Sequence, residues 1–250
     1  MGQLEHLLQN NRAWVPEVSV RDPGFFERLA SQQAPEHFFL VGCSDSRVPA
    51  NTITDLPPGE VLVHRNVANM VKPADMNCLS AMQFAMDVLK VKHIIICGHY
   101  GCSGVKAVLS GERLGLVDNW LAQMHMIQDK YRAELESCQE ERTRHDMLCE
   151  LNVIEQVANT CRSTVVQSAG RHGQALAVHG WIYGLAVGRI RDLGVSQQTP
   201  KHLPGGDAQA APKLSPTCSV LLTAREKDIA TRATICTSSP DNMWGQDYGA

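Results

Sequence analysis

The sequence lacks the features by which several common classes of protein are recognised. Its longest apolar runs fall far short of the roughly 18 residues that a membrane-spanning helix needs. Aromatic residues make up only 5% of the chain, and no basic patch interleaved with aromatic residues indicates nucleic-acid binding. No internal repeat is evident, and the N-terminal segment lacks the apolar block of a secretory signal. We therefore expect a cytoplasmic protein that binds neither nucleic acid nor a membrane.

Two short segments, by contrast, carry candidate zinc ligands. Cys43 opens the segment Cys-Ser-Asp-Ser-Arg, and His99 and Cys102 belong to the segment His-Tyr-Gly-Cys. Zinc favours thiolate and imidazole ligands, and a site of two cysteines and one histidine leaves a fourth position for water, substrate or a displaceable carboxylate. This set is typical of a catalytic zinc, because a structural zinc usually takes four permanent ligands in two close pairs. The alternative is two buried structural cysteines and a core histidine, since free cysteine is among the most buried residue types.

The residues before each segment predict that these ligands meet. Apolar runs over 37–42 and 93–98 both end in glycine and indicate buried strands. In open α/β sheets, sites form beyond the carboxyl ends of parallel strands. We therefore expect Cys43 and His99 to lie at the same edge of a parallel sheet.

Longer blocks around these segments resemble the signature blocks of the β-class carbonic anhydrases. The blocks are Cys43-Ser-Asp-Ser-Arg-Val-Pro-Ala50, His64-Arg-Asn-Val-Ala-Asn69 and Gly98-His-Tyr-Gly-Cys102. The likeness continues in order through His179-Gly-Trp-Ile-Tyr183 and extends over roughly residues 1 to 195.

The resemblance implies one Zn²⁺ per chain, held by Cys43, His99 and Cys102, with Asp45 as either the fourth ligand or the partner of Arg47. Two thiolates already cancel the formal charge of the metal, so a third anionic ligand would make the complex negative. A nearby guanidinium can therefore compete for the Asp45 carboxylate through a bidentate pair. When Asp45 is released, the metal can activate water for attack on carbon dioxide, with bicarbonate as the product. Asp45 and Arg47 are thus the expected catalytic residues.

The resemblance also implies substrate-binding roles for two residues. Gln33 would donate a hydrogen bond to substrate or product, and Phe84 would line the pocket from a helix, across a dimer interface. The residue types alone also allow a solvated glutamine and an ordinary core phenylalanine, because apolar residues at helical spacing usually face the core.

Some positions depart from the family pattern. Leu40 stands where bacterial members commonly have a tryptophan, which in some of them joins the residues matched here by Arg65 and Tyr183 in an inhibitory bicarbonate site. We therefore expect no such anion site in this chain. Ser103 replaces a glycine that is usual after the second cysteine. Because position 103 supplies no metal ligand, we expect this serine to change the local structure near the metal without abolishing the reaction.

The remaining cysteines agree with a reducing compartment. The chain has nine cysteines. If two cysteines bind zinc, an odd number of cysteines remains. A secreted protein held by disulfides would rarely have an odd number of remaining cysteines. The small net charge of −3 indicates no polyanionic partner.

The pattern of elements predicts an α/β fold. Strand-like runs near 37–43, 60–65, 93–98 and 175–181 are interleaved with amphipathic stretches near 76–90, 118–136 and 150–169. Such alternation predicts a parallel-sheet core flanked by helices, here preceded by an N-terminal helical arm that contains Trp14. We expect one domain over residues 1–195. Residues 196–250 are rich in proline, glycine and small polar residues and are expected to form a disordered or weakly packed tail, with 219–223 as a candidate edge strand.

The sequence therefore predicts a zinc-dependent carbonate dehydratase that interconverts carbon dioxide and bicarbonate and assembles as a homodimer or homotetramer. A hydrolase of a related heterocumulene such as carbonyl sulfide would share every metal ligand and is the enzymatic alternative. A non-catalytic, zinc-stabilised interaction protein of the same fold is the other. The pairing of Asp45 with Arg47 argues against the latter, because a structural zinc needs no displaceable ligand.

Overall fold

A computed structural model describes residues 3–31 and 38–198. In chain order the elements are α1 (Gln3–Arg21), α2 (Phe25–Ser31), β1 (Phe38–Cys43), α3 (Ala50–Thr54), β2 (Val61–Asn66), α4 (Met76–Asp87), β3 (His93–His99), α5 (Ser103–Ser110), α6 (Leu116–Lys130), α7 (Arg132–Ser137), α8 (Glu141–Arg162), α9 (Thr164–Arg171), β4 (Ala177–Gly184), β5 (Arg189–Asp192) and β6 (Gln197–Gln198). A 3-10 turn, Val67–Asn69, follows β2. Across the described ranges no helix has the length and apolarity that crossing a membrane requires.

A single sheet forms the centre of the fold. Its strands lie in the order β2-β1-β3-β4-β5, and β1 to β4 run parallel to one another. The short strands β5 and β6 both pair antiparallel with β4. The four apolar runs of the sequence correspond to β1 to β4, so the predicted parallel sheet is confirmed. The sequence pattern did not predict β5, a strand of Arg-Ile-Arg-Asp, because a four-residue run with one apolar residue shows no apolar alternation.

The alternation of side chains along the strands creates two apolar clusters. Along β3, Ile94 and Ile96 belong to the larger cluster, whereas Ile95 and Cys97 belong to the smaller cluster on the opposite face. Successive side chains of a strand point to opposite faces, so both faces of β3 are buried. Helix α8 packs on β3 and β4 in the larger cluster. Cys43 at the end of β1 belongs to this cluster as well, which places its sulfur on the α8 face of the sheet.

The N-terminal arm consists of α1 and α2. Trp14 packs edge-to-face against Phe25 and Phe26, with ring centroids 6.2 and 5.4 Å apart. Several apolar side chains of α1 are exposed, among them Leu4, Leu7, Leu8 and Val20. The predicted arm is therefore a pair of helices that leaves apolar surface uncovered within the described chain.

The expected C-terminal tail lies largely outside the described residues, which end at 198, and the candidate edge strand at 219–223 lies outside them as well. Within the described part, Gln197 and Gln198 form β6 and pair with β4.

Candidate metal centre

Two strand ends and one tight turn bring the predicted metal ligands together. Cys43 and His99 are the last residues of the neighbouring parallel strands β1 and β3. Gly101, with φ of 70°, then turns the chain so that Cys102 immediately precedes α5. The left-handed conformation at this turn suits glycine, which has no Cβ to clash. Each of the three side chains is at most 2% exposed.

The spacing of the ligand atoms fits a zinc ion. The possible ligand atoms of Cys43, His99 and Cys102 all lie within 4.8 Å of one another. The two sulfurs are 3.8 Å apart. Two sulfurs that each lie about 2.3 Å from a tetrahedral zinc are about 3.8 Å from one another. The structure therefore places the two cysteines at the separation that a shared zinc requires.

The orientation of His99 also suits a metal ligand. Its Nδ1 lies 2.9 Å from the carbonyl oxygen of Tyr100, so Nδ1 carries the proton and donates it to that carbonyl. Its Nε2 is buried and has no hydrogen-bond partner among the described residues. A hydrogen bond from one ring nitrogen to a carbonyl is the usual way in which a protein presents the other nitrogen to a metal. Tyr100 is itself anchored, because its hydroxyl donates to Glu150 at 2.6 Å.

Main-chain groups surround the sulfur of Cys43. The N–H groups of Asp45 and Ala68 donate to it at 3.3 and 3.2 Å. The pKa of Cys43 is lowered, chiefly by the hydrogen bond from Cys102, with the neighbouring His99 ring and the N–H of Asp45 also contributing against desolvation. The pKa of Cys102 is raised, because its thiol hydrogen-bonds to the Cys43 sulfur and because it is buried. A metal ion held by both sulfurs would displace thiol protons on binding, because thiolates are the ligand form.

Asp45 pairs with Arg47 beside this cluster. Nη2 of Arg47 donates to Oδ1 of Asp45 at 3.2 Å, and the N–H of Ser103 donates to Oδ2 at 2.8 Å. Burial raises the pKa of Asp45, but hydrogen bonding from Ser103 and the charge of Arg47 outweigh burial, so its pKa is lowered. Asp45 is outside the group of ligand atoms within 4.8 Å. The structure thus has Asp45 as the partner of Arg47, and its role as a fourth ligand stays a prediction.

The position of Leu40 limits the space near Arg65. Leu40, Arg65 and Tyr183 line one cavity, which has a volume of about 20 Å³. That is room for about one water molecule. The guanidinium of Arg65 donates to the carbonyl oxygen of Cys43 at 2.8 Å and to the hydroxyl of Ser46 at 2.6 Å. The absence of a separate bicarbonate site stays a prediction.

Sequence reasoning did not identify one contact to the metal loop. Nε2 of His145, on α8, lies 3.1 Å from the carbonyl oxygen of Cys102 and can donate to it. Nδ1 of the same ring lies 3.7 Å from the sulfur of Cys149, one helical turn further on. The spacing of four residues puts this histidine and cysteine on one helix face, which was the signal available in the sequence.

A second group of possible ligands has different properties. His64, Asp75 and Cys78 also have ligand atoms within 4.8 Å of one another. Burial and the nearby Asp75 charge raise the pKa of Cys78 to about 12, so its thiol stays protonated. The Asp75 carboxylate caps α4 by accepting from the N–H groups of Asn77 and Cys78. These residues are explained by packing and helix capping.

Of the two predicted substrate-binding residues, the structure describes only Phe84, which is not part of the cluster of ligand atoms. Gln33 lies outside the described residues. Phe84 lies on α4 and is 44% exposed. An exposed aromatic side chain at this place agrees with a pocket completed across an interface between copies. Both roles stay predictions.

Comparisons with known proteins agree with this geometry. A family model described as carbonic anhydrase matches residues 38–190. The protein named carbonic anhydrase in Emericella nidulans is 41% identical over 191 residues, which span 76% of this chain and 83% of that protein. Among solved structures, a tetrameric β-carbonic anhydrase from Sordaria macrospora has a TM-score of 0.73 at 36% identity and covers 78% of this chain and 98% of its own. The Coccomyxa β-carbonic anhydrase in complex with acetazolamide has a TM-score of 0.72 at 38% identity and covers 77% of this chain and 87% of its own. Both the sequence and the fold thus place the chain in the β-carbonic anhydrase family.

Proposed function

We propose that this protein catalyses the reversible hydration of carbon dioxide with one zinc ion held by Cys43, His99 and Cys102. The observation that carries the proposal is the convergence of two sulfurs, 3.8 Å apart, with a buried imidazole nitrogen that has no hydrogen-bond partner among the described residues. A bound zinc lowers the pKa of a coordinated water toward about 7, which supplies a nucleophile at neutral pH. Membership of the β-carbonic anhydrase family supports carbon dioxide as the substrate.

The residues around the cluster have distinct tasks in this proposal. The carbonyl of Tyr100 fixes the His99 ring through Nδ1, so Nε2 faces the metal position. Arg47 and Ser103 hold the Asp45 carboxylate beside the cluster, where it can accept a hydrogen bond from the attacking water and orient it. The ionised state of Asp45 follows from its lowered pKa, to which Ser103 and Arg47 contribute against burial. Without Arg47 the carboxylate would lose its charged partner and could compete for the metal.

The proposal is tested by removing the ligands one at a time. Cys43→Ala, His99→Ala and Cys102→Ala should each lose zinc, measured by elemental analysis, together with carbon dioxide hydration, measured by stopped-flow. Cys161→Ala is the control, since this cysteine is buried in α8 but is not in the ligand group. Full activity with stoichiometric zinc in any ligand variant would refute the assignment. Comparing the wild-type kinetics with carbonyl sulfide and with carbon dioxide distinguishes a heterocumulene hydrolase from a carbonic anhydrase. Bound zinc without turnover of either substrate would identify an interaction protein.

We further propose that the protein assembles as a homodimer or homotetramer. Strand β2 is at the edge of the sheet, and among the described residues no strand pairs with its outer side. Helix α4, which packs beside β2, exposes Met76 and Phe84, and Val88 directly after the helix is exposed as well. An unpaired edge next to exposed apolar side chains is suited to contact with a second copy. Light scattering coupled to size exclusion measures the assembly, and a monomer at micromolar concentration would contradict this proposal.

We also infer a cytoplasmic location. Within the described ranges no disulfide joins the seven cysteines, which are Cys43, Cys78, Cys97, Cys102, Cys138, Cys149 and Cys161. Structural disulfides persist in oxidising compartments, whereas reduced thiols are the rule in the cytosol. Fractionation of cells that express the tagged chain tests this inference, and recovery from an organelle or the medium would contradict it.

A further inference from the structure

We propose that Asn152 and Gln156 of α8 are positioning residues for the metal centre, although neither belongs to the cluster of ligand atoms. Their side-chain amides hold the segment 67–71 in the conformation in which the N–H of Ala68 donates to the sulfur of Cys43. This inference rests on the proposed function, because it concerns one of the proposed zinc ligands. It identifies two residues that set how tightly Cys43 binds the metal.

The backbone of segment 67–71 has an unusual conformation at two successive residues. Ala68 has φ of 65° and Asn69 has φ of 46°. In this left-handed region the Cβ atom approaches the following carbonyl oxygen, so residues other than glycine and asparagine seldom adopt it. Such a conformation persists only where the surrounding structure holds it.

Two amide side chains of α8 supply that support. Nδ2 of Asn152 donates to the carbonyl oxygen of Ala68 at 2.9 Å. Oε1 of Gln156 accepts from the N–H of Val71, also at 2.9 Å. The two amides are joined to each other, because Nε2 of Gln156 donates to Oδ1 of Asn152 at 3.0 Å. A main-chain carbonyl only accepts and a main-chain N–H only donates, so these partners determine the orientation of both amides.

The burial of the two amides makes their contacts strong restraints. Asn152 is 1% exposed, and Gln156 is fully buried. Solvent therefore cannot replace a partner that is lost, and an unpaired amide at this depth would be costly. Both residues lie on one face of α8, since they are four positions apart, and the same helix packs on β3 and β4. The position of segment 67–71 is thus fixed to the helix that covers the sheet.

Ala68 connects this support to the metal ligand. Its carbonyl oxygen accepts from Asn152, and its N–H donates to the sulfur of Cys43 at 3.2 Å. Only the φ and ψ torsions separate these two groups, so release of the carbonyl would allow the N–H to turn away from the sulfur. A hydrogen bond from an N–H orients a coordinating sulfur and lowers the energy of its electrons. Loss of such a partner typically costs about tenfold to hundredfold in metal affinity.

Other side chains hold the two ends of the segment. Nε1 of Trp120 donates to the carbonyl oxygen of Val67 at 2.8 Å. The side chain of Asn66 accepts from the N–H of Met70 at 2.7 Å and donates to its carbonyl oxygen at 2.8 Å. These contacts remain when an amide of α8 is replaced. We therefore expect a chain without one of the two amides to fold with Ala68 displaced.

The experiment uses the full-length chain with Co²⁺ in place of zinc and measures the thiolate-to-cobalt charge-transfer band by absorption. Asn152→Leu removes both polar atoms of the amide and keeps its branched shape. Its band should lie at longer wavelength than that of wild type, because the N–H of Ala68 no longer stabilises the sulfur electrons. Zinc affinity, measured by competition with a chromophoric chelator, should fall by about tenfold to hundredfold.

Two further variants complete the set. Gln156→Met removes the contact to Val71 and keeps an unbranched side chain, so it should shift the band in the same direction by a smaller amount. Thr160→Val is the matched control, because this residue of α8 is also fully buried and its hydroxyl donates to the carbonyl oxygen of Gln156 at 2.7 Å. It loses one buried hydrogen bond within the helix but none to segment 67–71. Its band and its zinc affinity should match those of wild type.

The proposal is overturned if folded Asn152→Leu protein has the cobalt band and zinc affinity of wild type, or if Thr160→Val changes both to the same extent. If Asn152→Leu does not fold, a wild-type band in Gln156→Met overturns the proposal instead. Carbon dioxide hydration by the zinc-loaded wild type is measured in parallel. Absence of that activity would refute the proposed function, whereas normal activity with unchanged bands refutes only the role of the two amides.

Discussion

We expect Gly98→Ala to disable the metal site although it removes no ligand. Gly98 directly precedes His99 on β3, and the α8 helix packs closely over it. A Cβ at this position would lie 2.5 Å from Cγ2 of Val153 and 3.2 Å from Cδ1 of Ile182. Both neighbouring side chains are fully buried, so neither can move into solvent.

The size of the effect follows from these distances. Carbon atoms in contact are normally about 3.5 to 4.0 Å apart, so α8 and β3 would have to separate by about 1 Å at this point. Overpacking of this kind costs about 1 to 3 kcal/mol. Because the strain falls next to His99, we expect weaker zinc binding as well as a lower free energy of unfolding.

Three measurements on matched variants test this reasoning. Urea unfolding followed by circular dichroism gives the free energy, elemental analysis gives the zinc content, and stopped-flow gives the hydration rate. Val153→Ala removes the opposing methyl groups, so the double variant with Gly98→Ala should be less impaired than the sum of the single changes by about 1 kcal/mol or more. If Gly98→Ala alone unfolds like wild type and retains full zinc, the close approach of α8 does not constrain the site.

Three further predictions concern the pair of Asp45 and Arg47, the cavity lined by Leu40 and Arg65, and the C-terminal tail. Arg47→Ala should keep zinc but lower turnover roughly tenfold or more, because Asp45 loses its charged partner; wild-type turnover in this variant would contradict the role of Arg47. Bicarbonate should inhibit as a product, with hyperbolic dependence, because the cavity between Leu40 and Arg65 has a volume of only about 20 Å³. Sigmoidal inhibition that disappears in Arg65→Ala would show a separate anion site. A chain that stops after residue 200 should keep zinc and most activity, whereas loss of folding or assembly would show that the tail packs as a structural element.

The sequence was most informative where strong local patterns coincide with the ends of elements. The apolar runs before Cys43 and His99 predicted β1 and β3, and the ligand types predicted the cluster that the structure brings together. The sequence left open whether Asp45 pairs with Arg47 or binds the metal, because the two interactions use the same carboxylate. The contact of Asp45 with Ser103 could not be predicted, because it joins residues 58 positions apart. The contact between His145 and the Cys102 carbonyl depends on how α8 crosses the sheet, which no local pattern encodes.

The main-chain hydrogen bonds to the Cys43 sulfur have a consequence for mutational tolerance. Their donors are the N–H groups of Asp45 and Ala68, which no change of side chain other than proline removes. Most point mutations therefore leave the hydrogen bonds to the Cys43 sulfur in place, because these bonds depend on the path of the backbone. Ala68 has φ of 65°, a conformation that glycine and asparagine adopt readily and β-branched residues adopt poorly. In a saturation library at position 68, glycine should thus be retained, whereas valine and isoleucine should be lost, because they disfavour this conformation and because Ala68 is fully buried in the core.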